Sequence, residues 1–199
     1  MATEVGIVNL ALTMLGEERI MSLSDNIKPA REANAIFGDV RDALLGAYTW
    51  SFAKTRQALS ALVSTPVFGY QLEYQLPSDC LRIIKVADHY VGVDLTDYRG
   101  YPVEEFTIEG RKILTDLPAP LQLQYVKRVT DTALFPPTFT MAFAAELAAK
   151  LCEPLAQSNT KRQLAENTRN MEISKAVRSN AIELPPQKLP DDEWLLSRL

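Results

Sequence analysis

The sequence predicts an α+β protein: a helical bundle built from N- and C-terminal helices, with a central antiparallel β insertion and an extended C-terminal arm. Three observations carry this. Apolar residues recur at three- and four-residue spacing at both ends, they alternate with polar ones in the middle, and prolines interrupt the last sixteen residues. The junctions fall near residues 50, 130 and 183, giving helices over 1–50, a β unit over 51–130, helices over 131–183 and an arm over 184–199.

The first helix is "TEVGIVNLALTMLG", with Val5, Val8, Leu12 and Leu15 on one face, Thr3 as N-cap and Gly16 as its end. After "EERIMSLSDNIK", Pro29 suits the first turn of a second helix, where its missing N–H has no partner to lose. Ala33, Phe37, Val40, Leu44 and Ala47 form its buried stripe, while Arg31, Glu32, Asp39, Arg41 and Asp42 face water. Gly38 inside it points to close approach by a neighbouring helix, since glycine there costs about 1 kcal/mol against alanine.

The period changes after Trp50. "YQLEYQLP" alternates, with Tyr70, Leu72, Tyr74 and Leu76 inward and Gln71, Glu73 and Gln75 outward. "VEEFTIEGRKIL" reads as a hairpin turning at Glu109-Gly110, and "LQLQYVKRV" alternates through Leu121, Leu123 and Tyr125. Trp50 stands where the chain leaves the helical core for the β unit. It is expected to seal that joint as a structural residue, with its N–H on a backbone acceptor.

Helix returns at Pro136-Pro137. Phe139, Phe143, Leu147 and Leu151 repeat every four residues, Glu146 and Lys150 form an expected ion pair, and Pro154 is expected to break or kink the helix. "NTKRQLAENTRNMEISKAVRSNAIE" is a last, weakly amphipathic helix with a broad charged face. Pro185, Pro186 and Pro190 then forbid helix in "LPPQKLPDDEWLLSRL", an extended arm with an apolar tip. No internal repeat is visible.

Composition excludes several function classes. The 199 residues are 47% hydrophobic and 23% charged, as in a globular protein. Net charge is −4 and the pI about 5.2, so there is no overall basic footprint for gripping phosphates. No signal-peptide pattern or membrane-length apolar run is visible. Cys80 and Cys152 match no metal or redox spacing and read as buried, reduced thiols suited to the cytosol.

Neither a catalytic site nor a metal or cofactor site is expected. The single histidine, His89, is read as a surface or loop residue, although Cys80 nine positions earlier permits a Cys–His sketch. Glu104-Glu105 and Asp191-Asp192 read as solvated charge. Lys54, Arg56, Lys127, Arg128, Lys161, Arg162, Arg169, Lys175 and Arg178 gather locally, but acidic residues interleave the last group, which suits a solvated or intersubunit face better than a DNA-reading one. The apolar "WLL" is costly to leave in water. It should dock either back on its own domain or, as favoured, in another subunit or partner.

Several stretches resemble the tail tubular protein A family, the head-to-tail adaptor of short-tailed bacteriophages and related prophages. They are "NLALTMLGEERIMSL", "VRDALLGAYTWSFAKTRQAL", "YQLPSDCLRIIKV", "FPPTFTMAFAAELAAKLCEPLA" and "DEWLLSRL", in family order over nearly the whole chain. The sequence departs at "GEERIMSL", where relatives often carry prolines. The resemblance implies a non-enzymatic virion protein, assembled in the host cytoplasm as a ring, commonly a dodecamer, in the viral neck. It implies as partners the portal, the tail nozzle of tail tubular protein B type, and double-stranded DNA passing unbound through the lumen, with no membrane. The helices would form the ring body and the β part would face the tail. The arm would dock on the portal through Trp194, Leu195, Leu196 and Arg198. The alternative is a prophage-encoded DNA-binding or regulatory module of α+β type, which would need a clustered basic recognition face.

Overall fold

The computed structural model describes residues 2–87, 89–90 and 106–183. Helix α1, Glu4–Leu15, starts at Thr3, whose side chain accepts from the Gly6 amide, and stops at Gly16, where φ is +71°. Its buried face is Ile7, Val8, Ala11, Leu12 and Leu15, with Val5 only partly buried. The following loop is pinned by Asn9, which donates to the Ile20 carbonyl (2.9 Å) and accepts from the Ile20 amide (2.8 Å).

Helix α2, Lys28–Ala47, carries Pro29 in its first turn and buries Ala30, Ala33, Phe37, Val40, Leu44 and Leu45. Two expectations fail here. Ala47 is exposed, because the core contact passes to Leu45 at the helix end. A methyl group built on Gly38 meets nothing within 4 Å, so no neighbour approaches it closely. Arg41 and Asp42 are also mostly covered, paired with each other at 2.9 Å, and Asp42 further accepts from Arg128 at 2.5 Å. Since Gly38 keeps only its helix-weakening entropy, Gly38→Ala should raise stability by about 1 kcal/mol, read as a higher denaturant midpoint at unchanged slope.

A 3-10 turn, Ser51–Ala53, leads into β1, Lys54–Leu59. The remaining strands are β2 Leu72–Gln75, β3 Cys80–Val86, β4 His89–Tyr90, β5 Phe106–Glu109, β6 Lys112–Thr115 and β7 Leu121–Lys127. They form two antiparallel sheets, one in the order β1-β7-β3-β4 and one in the order β2-β6-β5. The β5–β6 hairpin turns through Gly110, φ +58°, and Arg111.

Strand β3 shows no two-residue alternation because register shifts at Cys80/Arg82 and Ile83/Lys85 rephase it. Cys80, Ile83 and Val86 consequently face the β core, whereas Leu81 and Ile84 pack on the helical core. On β7, Tyr125 joins the β core and its neighbour Val126 the helical one. This sheet is the wall between two cores.

Helices α3, Pro137–Ala156, and α4, Asn159–Ile182, complete the bundle: α3 packs against α1, α2 and α4. The ends of the chain thus build one core with the middle inserted between them. Phe139, Phe143, Leu147 and Leu151 are all buried. One further expectation is corrected: Glu146 pairs with Arg169 of α4 at 3.6 Å, not with Lys150. Pro154 stands in the last turn of α3, which runs two residues past it to Ala156 and closes at Gln157 in the left-handed conformation.

Candidate functional site

The thiols and the histidine do not converge. Cys80 begins β3, and His89 pairs with Val86 at the opposite end of that strand, so His89 lies in β4 and not in a loop. Six strand residues separate them by about 20 Å, which excludes the Cys–His pair. Burial pushes the Cys80 thiol up, against a smaller opposing pull from Arg111. Cys152 is a second buried free thiol. Beside Cys80, the Tyr125 hydroxyl donates its one proton to Asp79 (3.0 Å), shared with the longer contact to Gln57 (3.3 Å); burial foremost, with Asp79, pushes it up to about 12. Cys80 and Tyr125 are thereby favoured in their uncharged forms. Among the described residues no three His, Cys, Asp or Glu side chains come together as metal ligands, and no helix is long and apolar enough to cross a membrane.

One carboxylate is buried against expectation. Glu73 on β2 accepts from Lys112 Nζ at 2.8 Å and from the Ser64 hydroxyl. The register Gln75↔Lys112 places that lysine beside it, a pairing invisible in the alternation of β2. The Lys112 hydrogen bond and then the Ser64 one hold the carboxyl below its ordinary range, against the opposing effect of burial. A depressed folded-state pKa contributes stability above the unfolded value of about 4.3, lost as pH falls through the folded one. Melting temperatures of wild type and Glu73→Gln should therefore differ most at neutral pH and converge in acid below about pH 4. An unchanged gap at low pH would remove this role from Glu73.

The local clusters of basic residues prove largely structural. Lys161 Nζ donates to the Leu15 carbonyl (2.8 Å), closing the end of α1. Arg162 pairs with Glu166 (3.2 Å) and Glu153 (3.4 Å), Lys175 with Glu172 (2.7 Å), and Arg169 with Glu146. Four of the five cations on α4 thus already hold carboxylates or a carbonyl. That leaves α4 a poor recognition helix, the element the regulatory alternative requires.

Contact surfaces are the stronger candidates. Helix α4 spans 24 residues yet fully buries only Ala165 and Ala176. Leu164, Met171 and Ile182, exposed at 64%, 52% and 86%, fall within about 20° of one line along it, roughly 100° from the buried alanines. This line was legible in the seven- and eleven-residue spacings, but the many charges between hid it. In the β unit, the loop between β1 and β2 presents Val63, Val67 and Phe68 almost bare. A third surface is a groove of about 660 Å³ between α2, α3 and α4, floored by Ile36, Val40, Ala43, Tyr48 and Ile173. Asp39, Glu146, Lys150 and Arg169 stand on its rim.

Trp50 is 1% exposed, and its indole N–H donates to the Leu44 carbonyl at 2.9 Å. That carbonyl belongs to the last turn of α2, where no intrahelical donor remains. Arg82 of β3 donates to the Ala47 carbonyl (3.2 Å) and to Thr49, tying the helix end to the sheet. The indole also meets Phe139 edge-on with ring centroids 4.9 Å apart. Trp194, Leu195, Leu196 and Arg198 lie outside the described residues, as do Glu104-Glu105 and Asp191-Asp192.

Compared with models of known protein families the chain matches none, and no curated protein matches it in sequence.

Proposed function

We propose that the chain is the subunit of a ring-shaped head-to-tail adaptor of a short-tailed bacteriophage or related prophage, of the tail tubular protein A type. In this role it is non-enzymatic. It joins the portal to a tail nozzle, stands in the neck of the virion, and lets double-stranded DNA pass through its lumen without gripping it. A net charge of −4 suits a channel from which a polyanion must not be held back. The arm engages the portal through Trp194, Leu195, Leu196 and Arg198, and copies of the chain close the ring.

The observation that carries this reading is the outward face of α4. A helix this long with an unpartnered apolar line is what an assembling subunit leaves for its neighbour. The bare loop apex at Val63, Val67 and Phe68 supports a second contact, suited to the nozzle. The phage assignment itself rests on the ordered sequence stretches described above.

The mass of the assembled protein tests the reading. A dodecamer of 22.2 kDa subunits gives about 270 kDa by sedimentation or mass photometry, and Met171→Glu should shift it to smaller species with the fold retained. A dimer would favour a regulator, and a monomer under all conditions, portal present, would count against any ring.

A further inference from the structure

Two of the exposed surfaces lie on opposite flanks of one helix. Leu164, Met171 and Ile182 form an apolar ridge along α4, and its N-terminal end, at Leu164, borders the seam with α1 beside Met14. Arg169 and Ile173, the α4 residues that line the groove, face α2 instead and stand about 170° around the helix from the ridge. Ridge and groove agree in length. Met171 to Ile182 is eleven helical residues, about 17 Å, and the floor from Ile36 to Tyr48 is twelve, about 18 Å. On the groove rim Glu146 and Arg169 pair with each other, which leaves Asp39 on the α2 wall and Lys150 on the α3 wall without an ion pair among the described residues. Arg178, between Met171 and Ile182 and within about 40° of the ridge line, is likewise the one cation of α4 that holds none.

We propose that the Met171–Ile182 ridge of one copy seats in the α2–α3–α4 groove of the next copy, with Arg178 meeting Asp39 across the contact. This names the two faces of the ring contact and rests on the adaptor reading. Different patches on opposed sides are what a head-to-tail contact requires. Each copy then keeps a free ridge for one neighbour and a free groove for another, so the contact repeats around a ring. A ridge packed on a second ridge would instead stop at a dimer. Seating removes Met171 and Ile182 from water and fills a trough that stands open in the single chain. Charge fixes which way the ridge lies. Asp39 draws Arg178 to the α2 wall, and Lys150 on the opposite wall repels it from α3.

Cross-linking and charge exchange in the full-length chain test this. Cys80 and Cys152 are buried and give a quiet background. Ala43→Cys with Lys175→Cys puts one thiol in mid-groove and one on the ridge between Met171 and Ile182. Ala43→Cys with Ser174→Cys is the control, since Ser174 is exposed and about 100° around α4 from Lys175. A short bismaleimide should link the first pair between chains, as a ladder of multimers, at least tenfold faster than the second. Lys175→Cys alone should give no ladder. Asp39→Arg, at an exposed position, should raise the concentration for half-assembly at least tenfold, and adding Arg178→Asp should return it to within about threefold of wild type. Melting curves of the variants check that the fold is kept. In assembled rings, equal linking of the two pairs, Lys175→Cys chains linked to one another, or no recovery in the double variant would overturn the contact and leave the ring reading standing. A chain that stays monomeric at every concentration, portal present, would overturn both.

Discussion

Trp50→Ala is expected to destabilise the fold by about 3–5 kcal/mol, a large share of the 5–15 kcal/mol that holds a typical domain together. Two losses add. Removing the indole leaves a cavity among Phe139, Phe52 and Tyr48, whose rings all lie within 6.3 Å of it, centroid to centroid. It also strips the Leu44 carbonyl of its donor at the end of α2. Trp50→Phe separates the two, since it keeps most of the packing and loses only the hydrogen bond, at about 1–3 kcal/mol. For a chain of this size the alanine variant should melt roughly 10 °C lower. A melting curve unchanged within error would mean that Trp50 does not hold the helical and β parts together.

Truncation after Pro190 should abolish co-sedimentation with portal rings while leaving the circular dichroism spectrum and melting temperature nearly unchanged. The nine residues removed include Trp194, Leu195, Leu196 and Arg198. A tryptophan at the centre of an interface typically contributes on the order of 2 kcal/mol or more, and in a ring the same loss repeats at every subunit. Asp191, Asp192 and Glu193 would act mainly on association rate and specificity, so neutralising them should slow binding and weaken its salt dependence. Full portal binding by the truncated chain would end the docking role of the arm.

The sequence displayed what depends on near neighbours. Thr3 and Gly16 bound α1, Gly110 turns the β5–β6 hairpin, and the four-residue repeat of Phe139, Phe143, Leu147 and Leu151 is the face of α3 that is buried. It concealed what depends on distant partners. Glu73 looks solvated in an alternating strand and is buried because Lys112, paired with Gln75, arrives diagonally beside it, 39 residues later in the chain. Strand β3 has no legible period because its two register shifts are set by pairing with β7. Ala47 is exposed because helical spacing says which face is buried and not where the neighbouring helix stops, and Gly38 shows that the cost of a helical glycine does not by itself signal a close neighbour. The groove between α2, α3 and α4 was likewise hidden, since its walls come from three helices that only tertiary packing brings together.

Electron cryo-microscopy of the full-length protein mixed with the portal encoded beside it tests the adaptor reading most directly. The expected result is an added ring under the portal, with the helical bodies forming its wall, the β units pointing away, and a density for each C-terminal arm running up onto the portal. Bare portal rings in the presence of excess protein, with the chain remaining monomeric in the same sample, would contradict it.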